Sequence, residues 1–362
     1  MINYNKLKII YINYIDMSNI ESGSQVRPAL MYKAFLELGL EVELVTGASS
    51  KSNLKERKEY LERKLEKIKN SKFDFCYIEN KTEPLFKGYN YFEYKFIKAI
   101  KEMDIPIGVF YRDVYWKFNK EFNLTGVHNK IMKVFQKFDL RFWKRVCKHV
   151  FLPTDKMNEY LSFKKACALP PACSIIDIAA TQSYTNNIIY VGGISYNYGT
   201  DILLDAMRIV NRKKNIKLTL ICRKAEYDDM IKNITPNDIP EWLEVKHISG
   251  KELNEAYKNA DVAVAPLRKI VYYDFCMPVK IYEYISNRKP IITTNCEEIA
   301  KLIKVNQLGL ICNDDAVDMA EKIMDIYADY EKYDSFRQNE KEFINTNRWT
   351  NRAQLIAEKL LK

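Results

Sequence analysis

"IIYVGGISYNYGTDILLDAMRIVNRK" (188–213) sets the reading of the whole chain. A β-branched run, 188–194, turns on Gly192 and Gly193 and passes after Gly199 into an amphipathic helix over 201–213. A strand running through a glycine turn into a helix opens a βαβ unit. Downstream the alternation continues. "IKLTLICR" (216–223), "LEVKHI" (243–248), "DVAVAPL" (261–267), "KPIITT" (289–294) and "GLIC" (309–312) read as strands with helical segments between them. Upstream, "ALPPACSIIDIAATQSYTNN" (168–187) interrupts the rhythm with two prolines and small polar residues, as a linker does. Before it, "LKIIYINY" (7–14), "VELVT" (42–46), "FDFCYIE" (73–79), "IPIGVFY" (105–111) and "HVFLPT" (149–154) supply a second series of strands.

Such alternation predicts an α/β protein with parallel sheets and crossover helices. The expected organisation is an N-terminal domain over 1–170, a linker over 171–186 and a C-terminal domain over 187–347. The helical segment "RWTNRAQLIAEKLLK" (348–362) follows the completed second sheet. Two doubly wound, Rossmann-like domains would bind ligands beyond the carboxyl ends of their strands, in a cleft between them.

The 362 residues are 47% hydrophobic, and no apolar run approaches the ~18 residues of a spanning helix. "MINYNKLKIIYINYID" ends in Asp16 without a small-residue cleavage site, so it reads as a first strand rather than a secretory signal. The eight cysteines form no C-x-x-C pair, which suits free thiols in a reducing, cytoplasmic setting. The three histidines have no partner at metal-ligand spacing, so no metal site is expected. The net charge is +10, and Lys117 to Lys148 holds nine basic residues against Glu121 and Asp139. That stretch points to an anionic partner; no nucleic-acid-binding module accompanies it.

Candidate site residues cluster at strand ends. In "DMSNIESGSQVRP" (16–28), Gly23 allows close backbone approach, Ser22 or Ser24 can cap the next helix, and Arg27 follows. The glycine spacing does not match a dinucleotide fingerprint, and an ordinary cap is the alternative. In "FYRDVYW" (110–116), Asp113 beside Arg112 suits a general base or an acceptor-binding carboxylate; a structural ion pair or cap is the alternative. Arg223, Lys224 and Arg268 end strands on one edge and suit a diphosphate, though each alone also suits a solvated surface. In "PVKIYEYIS" (278–286), Lys280 and Glu283 share a helix face: the carboxylate can accept from a ribose diol while the ammonium meets phosphate.

These stretches resemble nucleotide-sugar glycosyltransferases of the GT-B fold, in the family 4 or group 1 type. "PVKIYEYISNRKPIITT" is similar to the family's donor signature, with its K-x-x-E-Y element and Lys-Pro-Ile strand. "SGSQVRPALMYKAFLELGLEVELVTG" resembles its N-terminal glycine loop, and "LNEAYKNADVAVAPL" the stretch before the donor signature. The resemblance implies that Glu283 binds the ribose of a UDP-sugar, or less favourably a GDP-sugar. The diphosphate would lie near Gly23, Gly193 and Lys280, and residues 348–362 would pack back on the N-terminal domain. Positions where the retaining branch carries Arg and Lys hold Gly193 and Tyr198, which leaves positive charge to Arg223, Arg268 or Lys280. The family's acidic residue eight positions before the glutamate falls on Phe275, with Asp274 next to it as the carboxylate for the donor sugar. Ser24, Arg27, Arg112 and Asp113 would face the acceptor, a glycan or lipid-linked saccharide. The implied reaction is metal-independent hexosyl transfer, with retention expected and no cofactor beyond the donor. A non-catalytic subunit binding membrane or partner, or a nucleotide-sugar epimerase, are the alternatives.

Over 130–148, Lys130, Lys133, Lys137, Arg141, Lys144 and Lys148 recur at helical spacing. Ile131, Phe135, Phe138, Phe142 and Val146 form a stripe beside them. The apolar stripe suits packing on a sheet; the pair of stripes also suits an anionic membrane surface met by Lys133, Lys137 and Arg141.

Overall fold

The computed structural model describes residues 2–17, 23–47, 53–85, 91–176, 183–230 and 239–362. The chain divides into two units, Met1–Pro171 with Trp349–Lys362, and Ala172–Arg348.

The first unit runs β1 (Lys8–Ile12), α1 (Gly23–Glu37), β2 (Glu41–Val45), α2 (Leu54–Lys69), β3 (Phe75–Glu79), α3 (Phe92–Glu102), β4 (Ile107–Phe110), α4 (Gly126–Val146), β5 (His149–Leu152) and β6 (Ala166–Ala168). The strands form one parallel sheet in the order β2-β1-β3-β4-β5-β6. Every residue of β3 and β4 is buried, as a parallel sheet covered on both faces requires. β6 is the element that periodicity missed: three residues just ahead of Pro170 and Pro171 are too few to show alternation.

The second unit runs β7 (Asn187–Val191), α5 (Thr200–Asn211), β8 (Lys217–Ile221), α6 (Lys224–Met230), β9 (Leu243–Lys246), α7 (Gly250–Lys258), β10 (Val262–Ala265), α8 (Val271–Asp274), α9 (Val279–Ser286), β11 (Ile291–Thr294), α10 (Glu297–Asn306), β12 (Gly309–Cys312), α11 (Ala316–Ala328) and α12 (Tyr330–Thr346). Its parallel sheet has the order β12-β11-β10-β7-β8-β9. Apolar residues from α5, α11 and α12 cover one face, and residues of α7, α9 and α10 the other. Both units are doubly wound.

The last helix, α13 (Trp349–Leu361), belongs to the first unit and packs on α1. It buries Trp349, Ala353, Ile356, Ala357 and Leu360. Gly108 makes room for it: a Cβ there would stand 2.9 Å from both a Leu360 methyl and the Phe151 ring.

Candidate functional site

In the second sheet β8 lies on one side of β7 and β10 on the other, so the winding reverses between β7 and β10. That reversal opens a crevice at the carboxyl ends of these strands, where doubly wound sheets bind ligands. The turn after β7 fills its rim. Gly199 has φ 66°, and a Cβ there would fall 1.6 Å from the Pro266 carbonyl oxygen that follows β10. Only glycine joins the two strand ends this closely. Gly193 is closed over by a neighbour, because a Cβ on it would meet the Tyr198 ring at 2.6 Å.

α9 aims at this rim. Pro278 caps it with extended backbone, and its apolar residues Ile281, Tyr282, Tyr284 and Ile285 are buried. Lys280 is 9% exposed, and its Nζ stands 3.4 Å from the Tyr190 hydroxyl and 3.2 Å from where a Gly192 Cβ would lie. The ammonium lies 4.4 Å from the Tyr190 ring centre and 5.5 Å from that of Tyr198. Burial pulls its pKa down to about 7, against a partial upward pull from Glu283. Glu283 is half-buried, and burial raises its pKa while Lys280 opposes the rise. The two groups form no ion pair, and among the described residues no donor reaches the Glu283 carboxylate. Among the described residues, then, a carboxylate with no donor and an ammonium with no counter-ion sit one helical turn apart.

The other cations expected at this edge divide from Lys280. Arg268 is clamped by two carboxylates, Asp201 at the start of α5 and Asp314 after β12, and lies 4.4 Å from the Tyr196 ring centre. Its charge, expected to face a diphosphate, is here balanced by these two carboxylates. Arg223 is 75% exposed and pairs with Glu226 at 3.1 Å. Asp274 pairs with Lys269 and accepts from the Glu297 amide at 3.0 Å, so it caps α10.

Tyr190 and Tyr284 belong to the site and were not expected there. The Tyr190 hydroxyl donates to the Gly193 carbonyl and faces Lys280. The Tyr284 hydroxyl accepts from the Val191 amide at 3.0 Å, tying α9 to the end of β7. A phenol inside an apolar strand or helix reads as core, and only the K-x-x-E-Y spacing hints at Tyr284.

In the first unit, α1 starts at Gly23, after β1. Ser22 and the side chain of Ser24 lie outside the described residues. Arg27 is buried rather than facing solvent or substrate: its Nε donates to both Glu79 oxygens at 3.1 and 3.3 Å, and Phe110 stacks 3.5 Å from it. Burial works against its charge, and Glu79 and Tyr77 together outweigh that to hold the pKa above its ordinary value. Arg27, expected on the acceptor side, is thus 3% exposed and held by Glu79. Tyr77 also donates to Glu79, at 2.8 Å, and Arg112 stands 3.7 Å from it. Burial lowers the Arg112 pKa. Asp113 accepts from the Tyr115 amide at 2.9 Å, fixing the turn after β4.

A cavity of about 510 Å³ in the second unit is lined by Tyr257, Asn287 and Lys289. These residues lie where α7 leads into β10 and α9 into β11, at the amino ends of the strands and away from Lys280. Among the described residues no group of three or more His, Cys, Asp or Glu is placed to hold a metal ion. On α4, Lys137 and Arg141 are exposed and Lys133 is half-buried. Phe142 and Val146 pack into the core, whereas Ile131 and Phe138 stay exposed, so the expected apolar stripe splits along its length.

Residues 185–329 match the family model described as glycosyl transferases group 1. No curated protein matches the sequence. Among solved structures, a glycosyltransferase from Rickettsia africae is similar with a TM-score of 0.67 and 12% identity, covering 99% of this chain and 100% of that one. HepE of Anabaena, solved with UDP and glucose, has a TM-score of 0.65 and 12% identity over 98% of this chain and 99% of its own. WaaG, a glycosyltransferase of lipopolysaccharide biosynthesis, has a TM-score of 0.62 and 13% identity over 97% of this chain and 99% of its own. At these identities the structures establish the fold, which is GT-B, and the family match places group 1 character in the second unit.

Proposed function

We propose that this chain, a glycosyltransferase of group 1 type by its second unit and of GT-B fold throughout, moves a hexosyl group from a nucleoside-diphosphate sugar to a glycan or lipid-linked saccharide. The observation that carries the reading is the pair on α9. Among the described residues no donor reaches the Glu283 carboxylate, which leaves it to accept from a ribose diol, and Lys280 meets the β7 turn with no counter-ion. As the bond from the anomeric carbon to the diphosphate oxygen breaks, negative charge grows on the leaving group. The Lys280 ammonium in a water-poor rim would stabilise that charge without a metal. Lys280 is held near its titration point, so an arriving diphosphate draws a proton onto it and strengthens the contact.

UDP is the favoured nucleotide, in keeping with its presence in the HepE complex. We take the transfer to be retaining, with Asp113 positioning the acceptor hydroxyl rather than removing its proton. The cytoplasm, where nucleotide sugars and reduced thiols coexist, suits the eight free cysteines.

One observation favours a second reading. Arg268 and Asp274 are committed to carboxylate clamp and helix cap, as they would be in a non-catalytic subunit of this fold. Binding and hydrolysis assays with UDP- and GDP-sugars separate the readings. Slow donor hydrolysis that is lost in Lys280→Met supports the transferase. Interconversion of the sugar without release indicates an epimerase, and absence of nucleotide binding a non-catalytic subunit.

A further inference from the structure

The cavity of about 510 Å³ lies where α7 and the end of α9 meet the amino ends of β10 and β11. Its size falls within the ~300–1,000 Å³ of small-molecule sites. α7 gives it an exposed polar rim, with Lys251, Asn254 and Lys258. Its other polar side chains are buried: Tyr257, Asn287 and Lys289 are 2, 6 and 4% exposed. Arg288 takes φ 49°, which turns the chain at once from α9 toward β11 and leaves Asn287 and Lys289 on either side of the bend.

None of these three buried groups is fully satisfied. The Lys289 Nζ donates to the Ala260 carbonyl at 2.6 Å and, among the described residues, has no carboxylate in ion-pair contact. The Tyr257 hydroxyl has no hydrogen-bond partner among them. Burial, then Glu283 and Tyr284, push its pKa well above the ordinary value, so it stays a donor. The Asn287 amide donates to the Glu283 carbonyl at 2.9 Å, and among the described residues no donor reaches its side-chain oxygen. Buried polar groups left without partners weigh against a fold, and here they gather at one cavity. Charge selects what would pair with them. On the rim, Lys251 and Lys258 are matched by Glu252 and Glu255, and Lys258 pairs with Glu255 at 2.7 Å. Lys289 is the cation in excess. Burial and then Arg337 pull its pKa down to about 8, against Asp261 and Glu340, so an anion beside it would be welcome.

We propose that this cavity is a second ligand site, for a small polyol or sugar monophosphate, with the Lys289 ammonium and the Tyr257 hydroxyl meeting the phosphate and the Asn287 oxygen accepting from a hydroxyl of the carbon chain. A neutral sugar would leave the ammonium unmet. Bare phosphate would leave the Asn287 oxygen and most of the cavity unfilled. The site lies within the second unit, away from Lys280, and does not depend on the reaction assigned to the chain.

The test is calorimetric titration with glycerol 3-phosphate and sorbitol 6-phosphate, with sorbitol and inorganic phosphate as controls. The parent should bind at least one of the two organic phosphates about tenfold or more tightly than either control. Lys289→Gln should weaken that binding about tenfold or more, the worth of a charged hydrogen bond. Tyr257→Phe removes a hydroxyl that bonds to nothing in the fold, so the fold persists; binding should weaken several-fold. Asn254→Trp, at an exposed rim position, should block entry. Lys280→Met, in the donor crevice, should bind as the parent does. No binding of either organic phosphate by the parent overturns the proposal. So does parental binding by both Asn254→Trp and Tyr257→Phe, loss of binding in Lys280→Met, or inorganic phosphate held as tightly as the organic ones.

Discussion

The Lys280 ammonium stands 3.4 Å from the Tyr190 hydroxyl and among the described residues has no carboxylate in ion-pair contact, although Glu283 is one turn away on the same helix. A cation stacked on a buried phenol, rather than paired, is costly in the free protein and useful to an arriving anion.

This arrangement makes donor binding pH-dependent. Burial holds the Lys280 pKa at about 7 rather than 10.5. Between those values the unfolded chain keeps a proton that the folded chain has lost, so this group makes stability rise with pH; below about 7 its cost is complete. Lys280→Met should therefore melt higher than the parent in mildly acid buffer. The same variant should lose roughly 1.5–3 kcal/mol of nucleotide affinity, the scale of a charged hydrogen bond. Calorimetry in two buffers of different ionisation enthalpy should show proton uptake when the parent binds UDP near neutral pH. Binding without proton uptake would show that the ammonium does not meet the diphosphate.

Glu283→Ala should raise the apparent KM for donor and lower turnover while leaving the melting curve two-state. The expected loss is roughly 1.5–3 kcal/mol, because a charged acceptor is removed from a sugar diol. A 2′-deoxyribose donor should be discriminated less by the variant than by the parent. Equal discrimination would take the carboxylate out of the ribose site.

Asp113→Asn keeps an oxygen acceptor for the Tyr115 amide, so the turn after β4 survives. Transfer to acceptor should fall sharply while UDP affinity, measured by titration, stays near the parental value. A collapse of nucleotide affinity would place Asp113 elsewhere in the mechanism.

Glu79→Gln leaves the Arg27 guanidinium buried without its carboxylate. Breaking such a pair costs roughly 3–5 kcal/mol, so chemical denaturation should show a large loss of stability. A variant within 1 kcal/mol of the parent, roughly the worth of a surface pair, would mean that Arg27 can reach water.

Gly199→Ala forces a side chain onto the Pro266 carbonyl and into left-handed backbone. The loss of stability should exceed the ~1–2 kcal/mol of the backbone term alone. Donor binding should weaken with it, since the turn carries the rim that Lys280 faces. A variant as stable as the parent would show that the loop relaxes away from β10.

Local pattern was enough for the architecture. β-branched runs of four or five residues between amphipathic segments announce two parallel sheets, and the K-x-x-E spacing alone puts Lys280 and Glu283 on one face of α9. β6 escaped because three residues carry no period. What periodicity does not contain is the partner of each charge. Arg27 and Arg268 look like Lys280 in the sequence, basic residues near the carboxyl end of a strand. The fold brings Glu79 to Arg27 across 52 residues, and Asp201 and Asp314 to Arg268 across 67 and 46, while among the described residues it brings the phenols of Tyr190 and Tyr198 to Lys280 and no ion-pair partner. Likewise the repeat along α4 is continuous, yet Phe142 is buried and Phe138, one turn earlier, is 53% exposed. Helical and strand periods are set by backbone geometry between near neighbours and are written along the chain. Neutralisation and burial depend on which distant segments arrive at the same point in space, and only the tertiary structure decides that.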